Sequence, residues 1–254
     1  MKHLINLLLA STVLLTSCNF SKKDNDTTVT SCKDATEVTS LQDEITQKAL
    51  EQWRSEHFGM FIHFGIYSEL AGWWKGEKIP FYGEQIMNHA RITTEEYEAV
   101  AREFNPKDFN ADEIVLLAKQ AGMKYIVMTS KHHDGFCMFH TETTDYNIVD
   151  FTPFGRDVVK ELSDACKRHG IKFGLYYSLP DWHYPLGIPR LAPDPTTKCH
   201  EYVNQVYSPL EIVTPELEDY IVAQVTELLT NYGDINTLWF DMGLVTPEQS
   251  KRFR

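Results

Sequence analysis

A carboxylate that directly follows a run of apolar residues is the first candidate for chemistry in this sequence. Leu238-Trp239-Phe240 leads straight to Asp241. An ionised carboxylate beside a buried strand costs free energy unless it is solvated, paired or functional. Asp241 is therefore a candidate for acting on a substrate. Because an aspartate that begins a loop is also a common helix cap, the tetrapeptide alone leaves both interpretations open.

Three histidines also follow apolar segments. His63 ends Phe-Gly-Met-Phe-Ile-His, while His132 and His133 are adjacent in Lys-His-His-Asp-Gly-Phe. Neighbouring residues of a strand face opposite sides, so the pair can share a metal ion only if the backbone turns, as Gly135 suggests it soon does. Zinc needs converging ligands. We therefore expect no metal site and no cofactor, and imidazoles that donate to sugar hydroxyls. A purely structural role stays open for His63 and for one histidine of the pair.

Aromatic residues with polar groups form a third cluster. Tyr176 and Tyr177 are followed closely by Asp181 and Trp182. Phenol and indole groups can both hydrogen-bond to a sugar and stack on it. Two aromatic residues on one strand are usually core residues, and alternation allows only one of the two tyrosines to face a site.

Strand-like and helix-like segments alternate around these residues. Apolar runs predict strands at Phe58–Tyr67, Lys124–Ser130, Lys172–Ser178 and Asn236–Phe240. Helical spacing and glycine stop signals predict helices at Thr94–Phe104, Asp112–Ala121, Arg156–His169 and from Thr214 to Tyr232. This alternation indicates an α/β fold with a parallel sheet. No GxGxxG follows the first strand, so a dinucleotide-binding sheet has no support.

The polar residues at the strand ends favour a (β/α)8 TIM-barrel-like catalytic domain, because barrels place their active sites at the C-terminal ends of the strands. A closed barrel needs eight strands, whereas only thirteen residues follow Asp241. We therefore expect a barrel truncated after about four βα units. Such a half barrel would leave sheet edges unpaired, and we expect it to be poorly soluble on its own.

The N-terminal residues predict export. Lys2 precedes a mostly apolar run, residues 4–15, that is too short for a typical membrane span, and Leu-Thr-Ser-Cys ends at Cys18. We predict a lipoprotein signal peptide at 1–17, a lipidated Cys18, a polar tether over 18–41 and the barrel portion at 42–254. Acyl chains would anchor the protein in the bacterial cell envelope, in the periplasm or outer membrane. An ordinary signal peptide with a chance cysteine is the alternative.

The composition limits the classes of partner. The net charge is −12, which argues against nucleic acid because phosphate binding needs clustered Lys and Arg. The same charge is compatible with a neutral substrate. Four cysteines besides Cys18 show no CxxC spacing, so a disulfide is possible but its pairing cannot be predicted.

The four motifs, in this order from about Gln52 to Gly243, resemble those of glycoside hydrolase family 29, the α-L-fucosidases. The resemblance implies a (β/α)8-like barrel followed by a β-sandwich, and exo-acting hydrolysis of terminal α-L-fucosyl residues with retention. It makes Asp241 the nucleophile that forms a covalent intermediate. The substrate-binding residues that it implies are His63, His132, His133, Tyr177 and Trp239.

Two departures from the family pattern affect substrate preference. Pro80-Phe81-Tyr82 stands where members often have Glu-Trp-Tyr, and Met242 follows Asp241 where most have glycine. The family's general acid/base lies well beyond the nucleophile, so we expect it outside this chain and expect little or no activity from the chain alone. The expected partner is a fucosylated glycan. A non-catalytic sugar-binding lipoprotein and a metallohydrolase are the alternatives.

Overall fold

The computed structural model describes residues 44–183, 214–241 and 245–253. The chain divides into two compact units, Met1–Phe58 and Gly59–Arg254. In the first unit, the described residues form helix α1 over residues 44–55. The predicted signal peptide, the lipidation site at Cys18 and the tether lie outside the described residues. Within those residues, no helix is both long enough and apolar enough to cross a membrane.

The described residues of the second unit form six strands, which are β1 (Gly59–Ile62), β2 (Trp73–Trp74), β3 (Glu77–Lys78), β4 (Tyr125–Lys131), β5 (Lys172–Ser178) and β6 (Ile235–Asp241). Four of them form one sheet in the order β1-β4-β5-β6, and β2 pairs with β3 in a small hairpin. All neighbours in the four-stranded sheet are parallel. The prediction of an α/β fold with a parallel sheet is therefore confirmed.

Seven helices of this unit are described: α2 (Ile66–Leu70), α3 (Ile86–His89), α4 (Thr94–Glu103), α5 (Ala111–Gln120), α6 (Val158–His169), α7 (Pro215–Asn231) and α8 (Pro247–Arg252). Polar caps fix the starts of α4 to α7, because Thr93, Asn110, Asp157 and Thr214 each accept a backbone N–H three residues later. α6 ends at Gly170, whose φ of 70° suits glycine. The predicted bounds of these four helices agree within two residues.

The first predicted strand, Phe58–Tyr67, is wrong at its C-terminal end. Strand β1 stops at Ile62, and Ile66 begins α2. The turn between them is closed by Ser68, whose backbone N–H donates to the Gly65 carbonyl at 2.9 Å. Ile66 and Tyr67 are buried, so their apolar character serves a helix in the core. A short apolar run does not distinguish a strand from a buried helix.

The two faces of the sheet differ. On one face, Tyr177 of β5 donates its hydroxyl hydrogen to Gln224 Oε1 of α7 at 2.7 Å, and both side chains are fully buried. The opposite face, which we call the open face, carries Phe61, Tyr176 and Trp239, with Phe61 41% exposed and Trp239 50% exposed. Their rings meet edge to face, since the centroid of the Phe61 ring lies 6.0 Å from that of Tyr176 and 5.5 Å from that of Trp239 with the ring planes nearly perpendicular.

Candidate active site

Asp241 ends β6 and points to the side of the sheet that Tyr176 occupies. The register pairs Asp241 with Ser178 and Trp239 with Tyr176. The Tyr176 hydroxyl donates to Asp241 Oδ2 at 2.5 Å. This hydrogen bond fixes the orientation of the Asp241 carboxylate on the open face.

The prediction that Tyr177 lines this site is wrong in its placement. Tyr177 is fully buried on the helix-covered face, where its hydroxyl is bonded to Gln224 and its ring lies 6.3 Å from Phe240. Successive side chains of a strand alternate between faces, so bringing Tyr176 to Asp241 turns Tyr177 away. The tyrosine that lies beside Asp241 on the open face is therefore Tyr176.

His132 and His133 lie on the same side, although neighbours on a strand would diverge. Strand β4 ends at Lys131, and the Gly135 N–H donates to the His132 carbonyl at 3.0 Å, so the backbone turns at the pair. Their rings are 4.3 Å apart, and the His132 ring stacks on Tyr176 at 5.5 Å. His133 Nε2 lies 3.6 Å from Asp241 Oδ2. The turn thus brings His133 to the carboxylate and His132 onto the ring of Tyr176.

His63 joins the same group from the end of β1. Its ring stacks on Phe61 at 5.0 Å and lies 5.5 Å from the rings of both His132 and Tyr176. The structure therefore places four of the five predicted substrate-binding residues around Asp241, namely His63, His132, His133 and Trp239. Their roles towards a substrate stay predictions.

Burial favours the neutral form of all three imidazoles by lowering the pKa of each. Desolvation lowers the pKa of His63, although Glu84 and Asp241 act to raise it. Desolvation also lowers the pKa of His132 well below its ordinary value, with the neighbouring imidazoles adding to the effect. The pKa of His133 falls to about 4 through burial, against the opposing field of Asp241. Neutral imidazoles offer one donor and one acceptor each, which suits recognition of hydroxyl groups.

A buried ion pair lies behind the histidines. Lys131 Nζ donates to Asp181 Oδ2 at 3.0 Å, and neither side chain is more than 1% exposed. Asp181 follows the end of β5 by three residues and contributes its carboxylate to this pair. The next residue, Trp182, donates its backbone N–H to the His133 carbonyl at 2.8 Å. The loop after β5 is thereby tied to the histidine turn.

Sequence reasoning missed Phe61 and Ser178, and the family resemblance assigned to Tyr177 the place that Tyr176 occupies beside Asp241. Phe61 stacks on His63. The sequence feature that could have indicated this contact is the position of Phe61 two residues before the histidine, on the same face of the predicted strand. Ser178 Oγ lies 2.5 Å from His133 Nδ1, and no local signal in the sequence marks this contact. Among the described residues, no group of three or more His, Cys, Asp or Glu side chains is arranged to hold a metal ion.

The family model described as alpha-L-fucosidase matches residues 27–254 of the chain. Human plasma alpha-L-fucosidase is 34% identical over 210 residues, covering 79% of this chain and 43% of that protein. Alpha-L-fucosidase from Dictyostelium discoideum is 33% identical over 212 residues, covering 76% and 43%. The chain thus spans less than half the length of these curated relatives.

Solved structures show the same similarity. Alpha-L-fucosidase AlfC from Lactobacillus casei, in complex with α-L-fucose product, superposes with a TM-score of 0.69 and 40% identity, covering 81% of this chain and 65% of that one. An alpha-L-fucosidase from Bacteroides thetaiotaomicron, trapped as a covalent intermediate with 2-fluoro-fucosyl fluoride, gives a TM-score of 0.63 and 28% identity, covering 77% and 41%.

Proposed function

The chain belongs to the α-L-fucosidase family, and from that premise we propose that the protein hydrolyses terminal α-L-fucosyl residues of glycans, with Asp241 as its nucleophile. The observation that carries the proposal is the oriented carboxylate of Asp241 on the open face. It receives a hydrogen bond from Tyr176 at 2.5 Å and lies 3.6 Å from the imidazole of His133.

The proposed reaction proceeds with retention in two steps. In the first, a carboxylate oxygen of Asp241 attacks the anomeric carbon, a C–O bond to the enzyme forms, and the bond to the leaving group breaks. In the second, water hydrolyses this fucosyl ester and releases fucose. The leaving oxygen must be protonated and the water deprotonated by a second carboxyl group about 5–5.5 Å from the nucleophile. We propose that residues other than those described supply it.

The environment of Asp241 supports recognition of a monosaccharide. His63, His132 and His133 present neutral imidazoles, and Phe61 with Trp239 presents partly exposed aromatic surface. A site of this kind can bind a sugar in two ways at once. Its polar groups form hydrogen bonds to the sugar hydroxyls, and its aromatic rings pack against the apolar face of the sugar ring. The fucose product in the Lactobacillus casei structure and the α1,6-linked fucosyl-GlcNAc bound to a variant of that enzyme are the ligands of similar proteins.

We also propose that the sheet is part of a (β/α)8 barrel. The exposed rings of Phe61 and Trp239 support this, because a closed barrel fills its interior with side chains from all its strands. Covering this face would desolvate Asp241 and strengthen its interactions with the reacting centre. Solution scattering of the full-length protein would test for the compact shape of a closed barrel.

The cellular location stays a proposal drawn from the N-terminal residues. The apolar run before Cys18 supports a lipid anchor in the cell envelope. Replacement of Cys18 by Ala should abolish labelling by a lipid precursor and release the protein from the membrane fraction. Labelling that persists in the variant would contradict the anchor.

Covalent trapping tests the catalytic proposal most directly. With 2-fluoro-fucosyl fluoride, fluoride leaves without protonation, so the first step needs the nucleophile but no general acid. We expect the intact mass to rise by one fluorofucosyl group, on the peptide that contains Asp241, and Asp241→Asn to abolish the adduct. Asp164→Asn, which changes an exposed carboxylate on α6, is the matched control and should keep it. Fucose binding without any adduct would favour the non-catalytic sugar-binding alternative.

A further inference from the structure

Ser178, the last residue of β5, contacts two groups through one hydroxyl. Its side chain is fully buried. The Oγ atom lies 2.5 Å from His133 Nδ1 and 2.8 Å from the Pro180 carbonyl oxygen. Both distances are within hydrogen-bonding range. A serine hydroxyl has a single hydrogen to donate and two lone pairs that accept, so these two contacts determine each other.

The direction of the two hydrogen bonds follows from the chemistry of the partners. The Pro180 carbonyl can only accept, so Ser178 must donate its hydrogen there. The hydroxyl can then only accept from His133, which requires a hydrogen on Nδ1. The reverse assignment would place two oxygen acceptors 2.8 Å apart without a hydrogen between them. The neighbouring bond therefore selects the tautomer of the imidazole.

Further contacts stop the imidazole from leaving this position. Trp182 donates its backbone N–H to the His133 carbonyl at 2.8 Å, and the two rings lie 5.3 Å apart. The His132 ring lies 4.3 Å away on another side. His133 is thus held by its main chain, by two rings and by the hydroxyl of Ser178.

We propose that Ser178 is a positioning residue that locks His133 as the Nδ1–H tautomer, so that Nε2 accepts a hydrogen bond from a hydroxyl of the bound sugar. Nε2 is 3.6 Å from Asp241 Oδ2, which is too long for a direct hydrogen bond. In this tautomer His133 Nε2 and Asp241 Oδ2 are both hydrogen-bond acceptors. A sugar hydroxyl that enters between them can donate its hydrogen to one of the two. The part that concerns the sugar rests on the proposed function, whereas the tautomer lock does not.

Without the Ser178 hydroxyl, the hydrogen of His133 is free to move to Nε2. That hydrogen would point at Asp241 and compete with the sugar hydroxyl for the same space. The carboxylate would then be stabilised before the reaction rather than during it, which lowers the rate of attack. Ser178→Ala is therefore expected to harm the site through His133, although Ser178 itself touches no substrate.

Nitrogen NMR of the histidine rings in the full chain reads the tautomer without any substrate. In wild-type protein we expect a pyrrole-type Nδ1 and a pyridine-type Nε2 for His133, identified by the signals lost in His133→Gln. Ser178→Ala should shift both nitrogens towards the Nε2–H form, and Ser178→Thr, which keeps the hydroxyl, should restore the wild-type pattern. Ser163→Ala removes another buried hydroxyl bonded to a backbone carbonyl and should leave the pattern unchanged.

The rate of trapping by 2-fluoro-fucosyl fluoride supplies the second measurement. We expect Ser178→Ala to slow adduct formation about tenfold, as the loss of one buried hydrogen bond would, and Ser178→Thr to recover most of the rate. If His133 of the wild-type protein carries its hydrogen on Nε2, the proposed role of Ser178 is wrong, even if Ser178→Ala does not fold. An unchanged tautomer in folded Ser178→Ala would overturn it as well. If the tautomer responds but no adduct forms on any variant, the lock stands and the proposed function fails.

Discussion

Tyr176 donates a hydrogen bond to Asp241 Oδ2 across 2.5 Å, from a strand that also sends the adjacent Tyr177 to the opposite face of the sheet. The two neighbours therefore serve different purposes. Tyr176 orients a carboxylate on the open face, while Tyr177 completes a buried network with Gln224. A pair of matched phenylalanine substitutions separates these purposes.

Replacing Tyr176 by Phe should slow the reaction without unfolding the protein. Without the Tyr176 hydroxyl, the Asp241 carboxylate loses the hydrogen bond that fixes its orientation, and misplacing a reacting group can cost about 100-fold in rate, so we expect the trapping rate of Asp241 to fall by roughly 10- to 100-fold. Tyr177→Phe should instead lower the free energy of unfolding by about 1–3 kcal/mol, because it leaves a buried Gln224 oxygen with one donor fewer. Its trapping rate should stay near that of the wild type. The reverse outcome would restore Tyr177 to the site, as the family resemblance implied.

Local signals explain why most of the fold was predictable. The starts of α4 to α7 follow from capping residues, and the four main strands follow from apolar runs. The choice between Tyr176 and Tyr177 depends on the register between strands that are far apart in the sequence. A register irregularity between Thr129 and Lys131 alters that register, and the sequence contains no local signal for it.

The histidine turn was only partly predictable for the same reason. Gly135 indicated that the chain turns, but the site needs His132 and His133 to converge at once. Convergence depends on where β4 stops and on the contact between Lys131 and Asp181, which are 50 residues apart. Contacts between distant segments carry no periodic signal, so Ser178 and Asp181 could be placed only with the structure.

The buried ion pair should matter far more to stability than exposed pairs do. Lys131→Met leaves the Asp181 carboxylate buried without its counter-charge, and breaking a buried pair costs about 3–5 kcal/mol. Lys160→Met is the matched control, because its pair with Asp164 on α6 is nearly half exposed and should cost about 1 kcal/mol or less. Urea unfolding of both variants measures the difference. Equal losses of unfolding free energy in the two variants would show that the buried pair contributes no more to stability than the exposed one.

Acid should destabilise the protein through His133. Its pKa in the folded chain is about 4, against 6.5 for the ordinary group, because burial disfavours the charged form. The stability that comes from keeping the imidazole neutral is complete above pH 6.5 and is lost as the pH falls towards 4. His133→Gln cannot take up a proton. The unfolding free energy of the wild type minus that of the variant should therefore fall by about 3 kcal/mol between about pH 7 and pH 4.

Unfolding by urea at a series of pH values measures this difference directly. Other titrating groups affect both proteins and cancel in the subtraction, apart from the neighbours that interact with His133 itself. A difference that does not vary with pH would mean that His133 binds protons equally well in the folded and unfolded chains.

Gly135 should not tolerate a side chain, for a reason beyond its backbone conformation. Its φ is +79°, and a Cβ atom there would overlap Asp181 Oδ1 and come within 2.9 Å of His183 Cβ. Gly135→Ala must therefore displace the carboxylate that pairs with Lys131, and with it the loop that holds His133. Gly122 has a similar φ of +82°, but a Cβ atom there would meet nothing within 4 Å. Gly122→Ala thus isolates the backbone strain, about 1–2 kcal/mol.

We expect Gly135→Ala to lose several kcal/mol more than Gly122→Ala in urea unfolding, on the scale of about 3–5 kcal/mol for a broken buried pair. Because the disturbance reaches His133 through Asp181 and Trp182, the nitrogen signals of His133 should shift in Gly135→Ala and stay in place in Gly122→Ala. Similar stability losses in the two alanine variants, with unchanged His133 signals, would show that the loop after β5 can move without affecting the site. Asp181 would then have no part in positioning the histidine turn.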